Sequence, residues 1–239
     1  MIKKYTCIFA ALLIMSPFLM AQTLEEVVVT AQIREQSLQD VPISISAISG
    51  EDIADRSVDN LQSLSASVPN FMVVETQIDT SISIRGVRSG ANKGFEQSVP
   101  MNFDGISYPR SQLARTPLVD LQRVEVLRGP QPTLFGKNAI GGVVNITSAK
   151  PTEEFEGKFS TSHESEHGED QSLLVLSGAL SENLLGRITV STREMDGWIT
   201  NQKMKRLEPQ RDETYIRGQL AWTSGDVDYN LKVETADFD

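Results

Sequence analysis

LQRVEVLRGPQPTLFGKNAIGGVVNITSAKP, from Leu121 to Pro151, holds two strand-forming runs around a glycine-rich break. Arg123 to Arg128 reads as a short charged strand and Gly129-Pro130 interrupts it. A turn ends at Gly136, and Val143 to Thr147 form a second strand. An enzyme site would place His, Cys or paired acids beside such a break, and none is there. Nor is the break a P-loop. Gln131 stands five residues before Gly136 where glycine is required, and Asn138 replaces the Ser/Thr that would hold magnesium.

Taken as one ordered run, the segment resembles the end of the plug domain in TonB-dependent outer-membrane receptors. The resemblance implies an α+β plug followed by the start of an antiparallel transmembrane β-barrel, all-β and incomplete in this chain. It divides the sequence into a signal peptide (1–21), a TonB box with a flexible N-terminal segment (22–35), a plug (36–151) and about five barrel strands (152–239). It implies a receptor with no catalytic residue, cofactor or metal, placed in the outer membrane of a Gram-negative bacterium with the plug facing the periplasm.

The N-terminus reads independently. Lys3 and Lys4 precede an apolar run from Ile8 to Met20, broken at Ser16-Pro17 and closed by Ala21. That is a secretory signal peptide, too short to span a bilayer, for which about 20 apolar residues are needed. Cys7 is the only cysteine and leaves with it, so disulfides play no part after export. The chain carries 22 basic and 32 acidic residues, so loss of Lys3 and Lys4 takes the net charge from −10 to −12. Such a balance disfavours nucleic acid, whose phosphates call for a basic patch.

Leu24 to Gln32 reads LEEVVVTAQ, a β-branched run just behind the cleavage site. As an isolated run it is an ordinary edge strand; in its position it resembles the TonB box. The contact segment would be Glu26, Val27, Val28, Val29, Thr30 and Ala31, gripped by TonB as an added strand and driven by the ExbB/ExbD complex.

Within the plug region, Val41 to Ile48 alternates apolar and small polar residues. Ser49-Gly50-Glu51-Asp52 reads as a capped helix start, with Ile53, Val58, Leu61 and Leu64 at helical spacing until Pro69. Ser81 to Gly86 is another alternating strand, Asp104-Gly105 a hairpin turn, and Thr116-Pro117 a helix start. The resemblance implies that Arg85 and Arg128, with Glu125 among them, face the barrel wall, where the arginines pair with barrel glutamates beyond Asp239. The plain alternative is solvated strand-end charge. Ligand contact is expected on the loops 87–98 and 107–115, at Arg88, Lys93, Phe95, Tyr108 and Arg110. Basic and aromatic residues on a net negative protein point to an anionic small molecule such as a ferric siderophore; loop solubility alone would give the same residues.

After Pro151 the pattern turns to alternation. Leu184, Gly186, Ile188 and Val190 oppose Arg187, Thr189, Ser191 and Arg193, and 216–223 and 227–234 repeat it. One apolar and one polar face suits a barrel between membrane lipid and a wet lumen. A plugged barrel has about 22 strands, so the 85 residues from Phe155 to Asp239 are enough for about five of roughly ten residues each and the chain is expected to be truncated. His163-Glu164-Ser165-Glu166-His167 matches the zinc-protease pattern H-E-x-x-H, but on a strand its histidines would lie about 13 Å apart. A hairpin tip between the first two barrel strands is the better reading. Receptors for other small molecules, such as cobalamin or oligosaccharide, and a soluble periplasmic plug-like binding protein remain the rival readings.

Overall fold

A computed structural model describes residues 28–29, 36–37, 39, 41–75, 80–90, 94–166 and 168–238. The signal segment, Glu26, Val27, Thr30, Ala31, Lys93 and His167 lie outside the described residues. The described residues begin with two short strands, β1 (Val28–Val29) and β2 (Gln36–Ser37), then β3 (Ser44–Ser49) runs into helix α1 (Gly50–Asp55), followed by α2 (Leu61–Ser65). Next come the hairpin β4 (Phe71–Glu75) and β5 (Thr80–Ile84), and the hairpin β6 (Met101–Phe103) and β7 (Ile106–Tyr108). A 3₁₀ turn (Ser111–Arg115) leads to β8 (Leu121–Arg128), α3 (Pro132–Phe135) and β9 (Gly142–Ser148). Beyond them lie β10 (Glu156–Glu164), β11 (Glu169–Ser181), β12 (Leu184–Met195), β13 (Ile199–Asn201), β14 (Arg206–Glu208), β15 (Arg211–Ser224) and β16 (Val227–Phe238).

The first part is the expected α+β domain. Its sheet runs β3-β8-β9-β6-β7, antiparallel except where β6 lies parallel to β9. Alternation in β8 and β9 sends Val124, Val126, Val144 and Ile146 to one face, where they pack with Leu61 and Leu64 of α2 and Ile82 and Ile84 of β5. Each such side chain contributes about 1.5–3 kcal/mol on burial. The opposite face buries Leu127 and Val143 with Ala139 and, from the N-terminal strand, Val29.

Local chemistry explains most of these elements. Ser49 caps α1 by accepting from the Asp52 amide at 3.0 Å. Asp104 and Gly105 both take positive φ, 48° and 82°, as the two-residue turn between β6 and β7 requires. The helical spacing from Ile53 to Leu64 is carried by two helices rather than one. Ser57 turns left-handed at φ 51°, and Asn60 restarts the helix with a capping box through Ser63. Thr116-Pro117 does not start a helix. The single turn precedes it, and the extended run after it carries Asp120, at φ 51°, to the second sheet.

That sheet is an antiparallel meander, β10-β11-β12-β15-β16, whose strands of 9 to 14 residues match or exceed the 9–11 that cross a bilayer. It is inverted relative to a soluble sheet. The polar set Arg187, Thr189 and Arg217 is buried against the plug, while Leu176, Ile188, Leu220, Leu231 and Val233 are exposed on the other face. Trp222 stacks on Tyr229 at 5.2 Å where β15 turns into β16. The sheet does not close on itself: β10 and β16 are its edges among the described residues. No described helix is long and apolar enough to cross a membrane, which says nothing of strands. The H-E-x-x-H run falls at the β10–β11 tip, where His163 Nδ1 lies 2.7 Å from Asp170 Oδ1.

Gly142 is held at φ 150°, and a Cβ there would lie 2.2 Å from the Leu127 carbonyl oxygen. Gly142→Ala is therefore expected to part β8 from β9 and to lower plug stability by more than about 1 kcal/mol, read as the shift in thermal unfolding.

Candidate functional site

Three groups of residues bear on function: the contacts joining the plug to the inverted sheet, the N-terminal strand, and the plug loops.

Asp120 is the centre of the first. Thr189 on β12 sits directly opposite Arg217 on β15, and Arg187 lies one pleat away on the same face, so all three reach one carboxylate. Arg187 forks it, Nε to Oδ2 at 2.9 Å and Nη2 to Oδ1 at 2.5 Å. Arg217 Nη2 donates to Oδ2 at 3.0 Å and to the Asp120 carbonyl at 2.5 Å, and the Thr189 hydroxyl also donates to Oδ2. The side chains of Asp120, Arg187 and Arg217 are 6%, 5% and 0% exposed. Burial by itself would raise the Asp120 pKa, but the hydrogen bonds from Arg187 and Thr189 and the charges of both arginines hold it below the usual aspartate value.

Further contacts repeat the same polarity. Arg193 lies 2.7 Å from Asp59, and Glu75, already paired with Arg115 within the plug at 2.9 Å, receives Arg211 of the sheet at 3.5 Å. Lys232 reaches Asp104 at 2.7 Å and lies 4.2 Å from the centre of the Phe103 ring. Asp104 also accepts from the Ser148 amide and hydroxyl; against its burial, these bonds and Lys232 hold its pKa below the usual value. At this interface the plug supplies acids and the sheet supplies bases.

The sequence reading placed the joint elsewhere, at Arg85, Glu125 and Arg128. Glu125 is fully buried inside the plug sheet, accepting from Arg123 Nε at 2.8 Å and Asn145 Nδ2 at 2.8 Å, while Asn145 accepts from Asn102 at 2.7 Å. Register explains this ladder: Glu125 faces Asn145 and Asn145 faces Asn102 across three strands. Arg128 donates to the carbonyls of Pro69 and Ile45, both at 3.3 Å, and the Arg85 guanidinium lies beside Gly129. Arg85 and Arg128 are thus neighbours, and neither has an ion pair among the described residues. What sequence reasoning missed is Asp120. Alternation had put Arg187 and Arg193 on the polar face, but nothing local marked the acid that Arg187 meets 67 residues upstream.

In the N-terminal strand, β1 pairs with β2, Val28 opposite Ser37 and Val29 opposite Gln36. Val29 is fully buried with Leu127, Ala139 and Val143. On the loops, Arg88 and Arg110 are exposed and Phe95 is 60% exposed, while half-buried Tyr108 packs against the plug core. The two loops are tied together by the Gln97 amide donating to the Pro109 carbonyl at 2.6 Å. Asn138 and Lys137, with the Arg110 charge nearby, hold the exposed Glu96 carboxyl below its usual pKa. Arg115 turns away from these loops to Glu75.

Comparison with known proteins agrees with this architecture. Residues 37–143 match the TonB-dependent Receptor Plug Domain. The iron-regulated outer membrane virulence protein of Vibrio cholerae is 35% identical over 188 residues, 73% of this chain and 28% of that protein. The crystal structure of the ferric yersiniabactin uptake receptor FyuA from Yersinia pestis superposes with a TM-score of 0.72 at 26% identity, covering 81% of this chain and 31% of FyuA. The FpvAI–pyocin S2 complex structure shares the fold, with a TM-score of 0.76 at 19% identity over 88% of this chain and 27% of that one. The chain spans about a quarter of the length of the curated relatives it matches.

Asp120→Asn leaves buried Arg217 without its counter-charge and Arg187 with Glu156 alone, and is expected to weaken the plug–sheet joint by about 3–5 kcal/mol, measured by urea unfolding. The pH dependence follows from the sign of the shift. A carboxylate whose folded pKa is depressed stabilises fully above its unfolded value, about 3.9, and loses that contribution as pH falls through the folded value. Unfolding midpoints of the unmutated chain should therefore change little on this account between pH 8 and 5 and fall below about pH 4, with a smaller fall in Asp120→Asn.

Proposed function

Because the chain belongs to the TonB-dependent receptor family through its plug domain, we propose that it acts in energised uptake of a scarce small molecule across the outer membrane, with a ferric siderophore as the ligand. The observation that carries this reading is the inverted sheet, apolar outward and polar inward, wrapped against an α+β plug. That arrangement suits a wall between lipid and an occupied lumen. The family is one of receptors and transporters rather than enzymes, and its members sit in the outer membrane of Gram-negative bacteria.

In the proposed mechanism the ligand meets the outward loops at Arg88, Lys93, Phe95, Tyr108 and Arg110. An anionic iron chelate would take charge-assisted hydrogen bonds from the arginines and ring contact from Phe95. The iron-regulated relative and the ferric yersiniabactin receptor support an iron ligand. TonB, energised by ExbB/ExbD, would add Glu26 to Ala31 to its own sheet edge. Arg85 and Arg128 would bind acids of barrel strands outside this sequence.

Seating of β1 on the plug makes TonB binding a competition. TonB must replace the β1–β2 pairs and withdraw Val29 from its apolar site, a burial worth about 1.5–3 kcal/mol. Val28→Pro, which removes a ladder donor, should abolish binding of a TonB C-terminal domain measured by calorimetry. Val29→Asp should instead free the strand and tighten binding. If the unmutated chain and Val29→Asp both fail to bind, the TonB-box assignment is wrong. For the ligand, Arg110→Ala should weaken binding of a ferric siderophore by about tenfold or more in a fluorescence-quenching titration.

A further inference from the structure

The outward face of the sheet has a trough that the uptake reading does not use. In register, Gly178 of β11 faces Gly186 of β12, and Gly218 of β15 lies one pleat along, facing Ile188. Three outward positions on adjacent strands thus lack side chains where their neighbours are Leu176, Ile188 and Leu220. Around this floor stand Phe155, Leu180, Leu220, Leu231 and Val233, enclosing about 480 Å³ of almost wholly apolar space. Leu180 folds over Gly186, where a Cβ would meet it at 2.8 Å, and the Phe155 backbone passes over Gly178, where a Cβ would lie 3.3 Å from the Phe155 Cα. A continuous row of branched side chains would have given a smooth lipid-facing surface. The glycines make a slot instead, running obliquely toward the end of the sheet where β11 turns into β12 and β15 into β16.

That end is acidic. Glu153 and Glu154 immediately precede Phe155, Glu182 lies in the β11–β12 turn and Asp226 in the β15–β16 turn, all exposed. Lys150 is the exposed base just before them in sequence. Trp222 and Tyr229, the stacked aromatic pair of the β15–β16 turn, stand where amphipathic rings favour the headgroup level. The slot is therefore continuous with the membrane-facing surface, apolar along its length and negative at its mouth.

We propose that this slot holds one acyl chain of a membrane phospholipid whose headgroup carries an ammonium, as ethanolamine lipids do. The chain lies over the open Gly218, beside the Phe155 and Leu180 residues that cover Gly178 and Gly186, and the ammonium meets the carboxylates of the two turns while the aromatic pair brackets the headgroup. The inference rests on the outer-membrane reading of the strands and goes beyond it by naming a site and a headgroup class. Anionic lipids are disfavoured because their phosphates would face Glu154, Glu182 and Asp226 without a cation between them.

The test is native mass spectrometry of the full chain in detergent micelles with an equimolar mixture of phosphatidylethanolamine and phosphatidylglycerol. One retained phosphatidylethanolamine per chain is expected. Gly218→Leu fills the floor, and its Cβ meets nothing within 4 Å, so the fold should persist while retention falls at least fivefold. The double variant Glu182→Gln, Asp226→Asn should keep a lipid but lose the preference for ethanolamine over glycerol headgroups. Equal retention by Gly218→Leu overturns the slot, and preference for the anionic lipid in the unmutated chain overturns the headgroup assignment. Emission of Trp222, read in a Trp198→Phe background because the chain has two tryptophans, separates this inference from the membrane reading beneath it. A blue-shifted Trp222 with no retained lipid rejects the slot alone, whereas a Trp222 in water rejects both.

Discussion

One buried carboxylate organises the relation between the two parts of this chain. Asp120 lies at the end of an extended run, at positive φ, and gathers a bidentate guanidinium, a second guanidinium and a hydroxyl from two adjacent strands. None of the four groups is tolerable alone where it sits. An arginine taken out of water costs several kcal/mol unless an opposite charge and enough acceptors meet it, and here Glu156 and the carbonyls of Val119, Asp120 and Lys150 supply the remainder. Such a joint contributes less to net stability than to uniqueness of position. A slip of one residue in β12 or β15 would send that strand's arginine to the lipid side and take it from Asp120.

The same constraint explains why the sheet is tolerable inside out. Strands with Leu, Ile and Val on an exposed face would aggregate in water, and their alternate polar residues would have no purpose on a buried one. Against a plug bearing Asp59, Glu75, Asp104 and Asp120, the inward Arg193, Arg211, Lys232, Arg187 and Arg217 gain partners. With the outward face given to lipid, each half of the alternation has its proper solvent.

How much of this could be read from sequence depended on range. The Asp104-Gly105 turn, the Ser49 cap and the alternation of Arg187 against Ile188 were legible because each is fixed within a few residues by φ, a cap bond or strand period. The split between α1 and α2 was not, because Ile53 to Leu64 keeps helical spacing across the break and only the left-handed Ser57 betrays it. The family resemblance sets Glu125 among the residues toward the wall; Arg123 and Asn145, the latter brought alongside by register, satisfy it inside the plug. Asp120 gave no signal, since its partners lie 67 to 97 residues downstream and their choice is a product of the fold. Of the expected ligand residues, Arg88, Phe95 and Arg110 lie outside the strands, whereas Tyr108 ends β7 and packs against the plug core, a contact that sequence spacing did not reveal.

The contrast between the two ends of the plug gives a direction to any force applied at the N-terminus. Among the described residues, β1 is held by two register pairs with β2 and by one buried valine, contacts that come apart in sequence from the chain end inward. The far side is held by Asp120, Asp104, Glu75 and Asp59, spread over four separate segments and several strands, which must share a load rather than yield one at a time. A pull along the N-terminal strand therefore reaches the weaker contacts first, and Val29 leaves before the plug–sheet joint feels strain. Loss of Val29 would open the face on which Leu127, Val143 and Ala139 now pack, next to the break between β8 and α3 that first distinguished this sequence. In a receptor worked from that end, the glycine-rich break is where the disturbance would enter the plug sheet.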